Sequence, residues 1–206
     1  MGKLLVGCEF SGIVRDAFEE EGHDATSCDL LPSDRPGKHI VGDIFEQLDK
    51  GWDLLIFHWP CTYLCRAGAG WCFNIPTNPK PDVKYGADRY AAMIESARCF
   101  DKLMNCGILR IAGENPRPFK DAAEIMGKPS QVIQPYEFGH PERKATCLWL
   151  RNLPKLEPTN IVPLPKDKAK AQRLHWLSPG PNRWKERSKT YKGIAKAMAQ
   201  QWGKLL

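Results

Sequence analysis

Apolar and polar positions alternate in blocks along this chain and predict a repeated strand, turn, helix order. Lys3 to Gly7 is a short apolar stretch between turn-prone neighbours and reads as a strand, while apolar residues at 13, 14, 17 and 18 place a helix over Ile13 to Glu21. Gly22-His23 ends that helix, Ala25 to Cys28 predicts a second strand with Asp29 at its end, and Ile40-Val41 repeats the pattern before Gly42-Asp43. Trp52 to Phe57 is almost unbroken apolar sequence, as expected of a strand covered on both faces, and runs into His58-Trp59-Pro60-Cys61. Arg66 to Tyr85 is rich in Gly, Pro and Asn and predicts a mobile loop. Tyr90 to Leu103 is the clearest helix, and Ile108 to Ala112 is another buried strand followed by Gly113-Glu114-Asn115-Pro116. After a strand over Thr146 to Leu150, six prolines between residues 154 and 181 interrupt regular structure, and Ser188 to Trp202 returns to helix.

This order predicts an α/β fold, a mostly parallel twisted sheet with helices on both faces, in which ligands gather at the carboxyl ends of the strands. Glu9, Asp29, Asp43, Cys61 and Glu114 all fall at such ends. Polar and reactive residues converging on one sheet edge are the pattern of an enzyme.

With 206 residues, 42 % hydrophobic and 26 % charged, the chain is long and apolar enough to build a core, which excludes disorder throughout. No apolar run approaches the roughly 20 residues of a membrane-spanning helix, so no membrane partner is expected. The start turns polar by Glu9, too soon for a secretory signal, and a cytoplasmic location is expected. The eight cysteines are few for a disulfide scaffold of this length and are expected to be reduced. His58, Cys61, Cys65 and Cys72 lack a second ligand pair at a familiar spacing, so no metal is expected. The net charge of +6 is uneven: residues 141 to 206 carry 15 Lys and Arg against 4 Asp and Glu, leaving −5 for residues 1 to 140. A basic C-terminal end suits a polyanion such as nucleic acid.

Taken in order, the motifs resemble the S-adenosylmethionine-dependent DNA cytosine-C5 methyltransferases, in a short form like those of phages and bacteria, and the resemblance covers most of the chain. Glu9-Phe10-Ser11-Gly12 resembles the Phe-x-Gly turn that receives the methionine part of the cofactor. Asp29, followed by Leu30, matches the acidic residue that holds the ribose hydroxyls, and Gly42-Asp43-Ile44 the motif whose Asp meets the adenine amino group. Asp53 to Phe57 with Trp59-Pro60-Cys61 resembles the strand and Pro-Cys loop of the nucleophile, and Glu114-Asn115-Pro116 stands where the family has Glu-Asn-Val. A nicotinamide dehydrogenase would instead want Gly-x-Gly-x-x-Gly in the first turn, which Gly7 to Arg15 does not supply. Read without the family, Asp29 and Asp43 could simply end strands, and Cys65 is a rival to Cys61 as nucleophile.

The resemblance implies a Rossmann-like methyltransferase fold, S-adenosylmethionine as cofactor with S-adenosylhomocysteine as product, DNA as partner, and a bacterial or phage-infected host cell. It implies Cys61 as the thiolate that adds to C6 of a flipped cytosine, and Glu114 as the group that steadies the ring at N3 and the exocyclic amine. Such a thiol needs surroundings that favour its anion. The stretch Glu142-Arg143-Lys144-Ala145-Thr146 departs from the family's Gln-x-Arg-x-Arg by ending in threonine, leaving Arg143 or Lys144 to supply the cation. Ser188 to Gly193 lacks the final motif's Gly-Asn-Ser. Residues 1 to 150 are expected to form the cofactor-binding catalytic domain, and 188 to 206 a helix packing back on it. Residues 151 to 187, 37 in all, would stand in for a target-recognition domain, too short to read more than a base pair or two. Arg173, Arg183, Trp184, Lys185 and Arg187 are the nucleic-acid-binding candidates; a monomer is favoured. A free cytidine nucleotide or RNA as substrate, or a catalytically weak or inactive DNA-binding relative, are the alternatives.

Overall fold

Alternation within each strand decides the layering of the computed structural model, which describes residues 1–206. The elements in chain order are β1 (Lys3–Gly7), α1 (Ile13–Glu20), β2 (Asp24–Asp29), β3 (His39–Val41), β4 (Leu54–His58), α2 (Arg66–Ala69), α3 (Gly86–Met104), β5 (Arg110–Asn115), α4 (Lys120–Met126), β6 (Gln131–Ile133), β7 (Thr146–Arg151), α5 (Lys168–Ala171), α6 (Arg183–Ser188) and α7 (Lys192–Trp202). The strands form one sheet in the order β3-β2-β1-β4-β5-β7-β6, parallel from β3 to β5, with β7 antiparallel to both its neighbours. The fold is α/β, as the periodicity predicted, and Rossmann-like, as the resemblance implied.

Successive side chains of a strand point to opposite faces, and here they feed two separate cores. Leu4 and Val6 of β1, Leu54 and Ile56 of β4, Ala112 of β5 and Leu148 of β7 pack on one face with Val14 and Phe18 of α1 and Met198 and Trp202 of α7. Leu5, Leu55, Phe57, Ile111 and Trp149 pack on the other with Met93, Ala97 and Phe100 of α3 and Met126 of α4. α7 lies against α1, so the C-terminal helix completes the first layer. Gly193 lets α7 start against the turn after β6, where any Cβ would run into the Phe138 carbonyl oxygen.

The structure departs from the pattern-based elements at several points, with β5 starting at Arg110 rather than Ile108 and α3 at Gly86 rather than Tyr90. β5 runs on through Glu114 and Asn115, because both are paired with β7 and Glu114 also with β4. β4 begins at Leu54, since Trp52 is turned aside with its indole N–H on the Gln47 carbonyl (2.6 Å). The stretch expected as a mobile loop contains α2 and a 3-10 turn, Gly70–Cys72. Ser188 ends α6, and the backbone extends at Lys189 and Tyr191 before α7 starts. The short α4 and the three-residue β6 have too little sequence period to be read locally.

Candidate active site

Chain order in the sheet reverses between β1 and β4, which makes the carboxyl ends of these two strands a topological switch point, the usual crevice for ligands in open α/β sheets. The turn after β1 is built around Glu9. Its buried carboxylate accepts the Val14 N–H (2.7 Å), the Arg15 N–H (3.3 Å) and the Ser11 hydroxyl (3.3 Å), capping the start of α1, while Gly12 supplies the left-handed residue (φ 67°) that the turn requires. Burial pushes the Glu9 carboxyl up from its ordinary value, against the opposing effects of His58, the two amides and Ser11.

The loop after β4 is held from three sides. Asn115 donates to the Trp59 carbonyl (2.6 Å), the Trp59 indole N–H donates to Ser96 (2.9 Å), and the Leu64 and Cys65 amides turn back to the Cys61 carbonyl. From α3, the buried Arg89 guanidinium donates to the Thr62 and Gly68 carbonyls (2.8 and 3.1 Å) and lies over the Tyr63 ring. Cys61 is thereby presented at a cleft of about 110 Å³, shared with Phe10, His58, Glu114, Lys144 and Arg187. Arg187, Ser188 and Thr190 form its roof, tied down where Lys144 Nζ donates to the Arg187 carbonyl (2.9 Å) and Lys189 pairs with Asp34 (3.4 Å).

Glu114 Oε2 lies 3.1 Å from His58 Nδ1. Burial alone would raise this carboxyl, but the His58 hydrogen bond and charge and the nearby Lys144 ammonium hold it below its usual value. The two thiols of the loop act as one unit. The hydrogen bond to Cys65, burial, and the charges of Cys65 and Glu114 push the Cys61 thiol up, with Lys144 opposing. The same hydrogen bond, the Gly68 and Ala67 amides and Arg187 hold the Cys65 thiol down against its burial. Within the pair the shared hydrogen bond thus favours the anion on Cys65 over Cys61.

At neutral pH, limiting iodoacetamide should modify Cys65 ahead of the other seven cysteines, because alkylation follows the thiolate. Peptide mass mapping checks this, and Cys61→Ala should slow the reaction by removing the donor. Alkylation of Cys61 first would reverse the assignment.

Of the residues singled out from sequence, Glu9, Phe10, Ser11, Pro60, Cys61, Glu114, Lys144 and Arg187 border this cleft. Asp29 and Asp43 do not border the cleft but are close enough to Cys8 to act on its thiol, which is pushed up by burial first and then by Asp29, Cys28 and Asp43. Asp29 accepts the Leu31 amide and Asp43 the Phe45 amide, while Leu30 is exposed. The Ile44 side chain is committed to the core beside Gly7. Arg143 is exposed, with its amide on the Ala171 carbonyl, so of these two neighbours it is Lys144 that reaches the cleft. Trp184 and Lys185 lie against Phe10 (5.8 and 5.9 Å), whereas Arg173 pairs with Glu142 and Arg183 donates to the Leu177 and His175 carbonyls. No group of three or more His, Cys, Asp or Glu side chains comes together in metal-binding geometry. Sequence reasoning weighed His58 as a metal ligand and did not find Arg89, because neither the register of β4 on β5 nor the docking of α3 on the loop has a local signal.

No family pattern and no curated protein matches the chain. Among solved structures it is similar to one described as a DNA modification methyltransferase encoded within an E. coli prophage, at 12 % identity and a TM-score of 0.45 over 82 % of this chain and 54 % of that one. It is also similar to a triple mutant of DNMT2 from Spodoptera frugiperda, at 18 % identity and a TM-score of 0.36 over 82 % of this chain and 56 % of that one. The chain spans just over half the length of each.

Proposed function

We propose that this chain transfers a methyl group from S-adenosylmethionine to C5 of cytosine in DNA. The observation that carries the reading is the single cleft at the switch point that brings the Cys61 thiol, the Glu114 carboxylate and the Lys144 ammonium together. C5 of cytosine is too electron-poor to attack a sulfonium methyl unaided. Cys61 Sγ bonds to C6 as its proton passes to Cys65, the partner whose thiolate is favoured, and electron density moves onto the ring and to C5. Glu114 holds N3 and the exocyclic amine and steadies that density, with Lys144 beside both groups. Loss of the C5 proton to water and cleavage of the Sγ–C6 bond then release the product. The base must leave the duplex to reach Cys61, at a cost of about a few kcal/mol.

S-adenosylmethionine, when bound, supplies the electrophilic methyl and leaves as S-adenosylhomocysteine. The donor set fits it: Phe10 and Ser11 border the cleft for the methionine end, with Pro60 opposite. Asp29 and Asp43, close enough to Cys8 to act on its thiol, would offer acceptors to the hydroxyls and amino group of an adenosine. About 110 Å³ is less than the roughly 300–1,000 Å³ of small-molecule sites, so the roof of Arg187, Ser188 and Thr190 has to lift for both ligands. The basic segment from 151 to 187 provides phosphate contacts, with Trp184, Lys185 and Arg187 nearest the cleft, and implies a short or relaxed recognition sequence.

Transfer of labelled methyl to duplex DNA, single-stranded DNA, RNA and dCMP, measured side by side, tests this. Incorporation into DNA at C5 is expected. Incorporation only into RNA or dCMP would move the substrate, and incorporation into none would sink the enzyme reading.

A further inference from the structure

His58 closes β4 and lies opposite Glu114 in the parallel register with β5. Its side chain is 7 % exposed and its two ring nitrogens have different surroundings. Nδ1 is hydrogen-bonded to Glu114, 3.1 Å from Oε2. Nε2 is buried and meets no partner in the protein, although the ring borders the cleft. Native proteins leave few buried polar atoms unmet, and those at a cleft mark where a ligand or water completes the bonding. A residue serving only to orient Glu114 would need one nitrogen and could satisfy the other within the fold.

The charged groups around the ring are Glu9 from the turn after β1, Asp29 from the end of β2 and Glu114 from β5, with Lys144 beside Glu114. We infer that His58 and Glu114 form a proton relay to the base-binding end of the cleft, an inference that rests on the methylation reading above. The relay starts from the charged ring and ionised Glu114. As the Cys61 Sγ–C6 bond forms, N3 of the cytosine becomes basic. His58 Nδ1–H passes its proton to Glu114, Glu114 passes one to N3, and the ring is left neutral with its hydrogen on Nε2. When the Sγ–C6 bond breaks, the proton returns from N3 through Glu114 to Nδ1, so the relay consumes none. Nε2 is the end at which the ring exchanges protons with cleft water between turnovers. His58 is a positioning residue in this scheme, acting on the substrate through Glu114.

The test is His58→Gln, whose amide can still donate to Glu114 but cannot carry a proton. With S-adenosylmethionine and duplex DNA, kcat should fall about 100-fold while both KM values stay within about twofold. In the wild type kcat should fall towards high pH; in the variant that dependence should flatten. His58→Ala should regain turnover when imidazole is added, which keeps the inference testable if the Gln variant folds poorly. A His58→Gln protein with wild-type kcat and pH profile, or a His58→Ala protein deaf to imidazole, overturns the relay alone. A wild-type protein that methylates no DNA overturns the methylation reading and the relay together.

Discussion

Cys61→Ser should reduce methyl transfer to DNA by about 10⁴-fold or more, the scale on which removal of a covalent nucleophile acts, while leaving the fold unchanged. The expected loss is large because the other candidates are poorly placed to form the bond to C6: Glu114 is held as a carboxylate beside His58, Cys65 does not border the cleft, and the Cys8 thiol, which does, is pushed up by burial and by Asp29. Duplex DNA carrying 5-fluorocytosine sharpens the test, since fluorine at C5 cannot leave as a proton and the adduct should persist. Wild-type protein with S-adenosylmethionine should give a denaturant-resistant complex with such DNA, and Cys61→Ser none. Cys65→Ser, which leaves Cys61 in the cleft, should still be trapped. The reverse pattern would transfer the nucleophile to Cys65 and make Cys61 its proton donor.

Trp202→Ala should destabilise the chain by about 3–5 kcal/mol, the range for deleting a buried aromatic side chain. Trp202 is fully buried in the layer formed by α1, α7 and the sheet, and its indole N–H donates to the Pro154 carbonyl (3.1 Å). The substitution therefore removes both a large apolar contact and the link that draws the segment after β7 onto the core. Against a total of about 5–15 kcal/mol for a domain, the loss should show as a much lower denaturant midpoint with a similar slope. A shift below about 1 kcal/mol would mean that α7 is not integral to the first layer, and that the cleft roof preceding it is not anchored through it.

The strand ends were legible because a buried strand is a block of apolar residues that stops abruptly, and both Leu5-Val6-Gly7 and Leu55-Ile56-Phe57 give way to polar or reactive side chains within two residues. The reason Glu9 matters was not. Its carboxylate is the internal cap of α1, a role visible only once the turn closes and the Val14 and Arg15 amides point at it. The choice between Arg143 and Lys144 had the same character. Two adjacent cations on an extended segment point to opposite sides, and the start of β7 at Thr146 decided that Lys144 faces Glu114. Thr146 itself bonds the Lys144 carbonyl (3.1 Å), so the residue that breaks the family pattern helps seat its neighbour.

By itself the sequence determined the class of fold, the order of strands and helices, and which residues stand at the carboxyl ends of strands, because alternation and helical spacing record locally which face of each element is buried. Tertiary structure decided which of those ends are neighbours. It seated Glu114 against His58, set the Cys61 and Cys65 thiols within one hydrogen bond, and brought Asp29 and Asp43 close enough to Cys8 to act on its thiol. Register between strands far apart in the chain, and the field that buried groups exert on one another, depend on distances that no local period encodes.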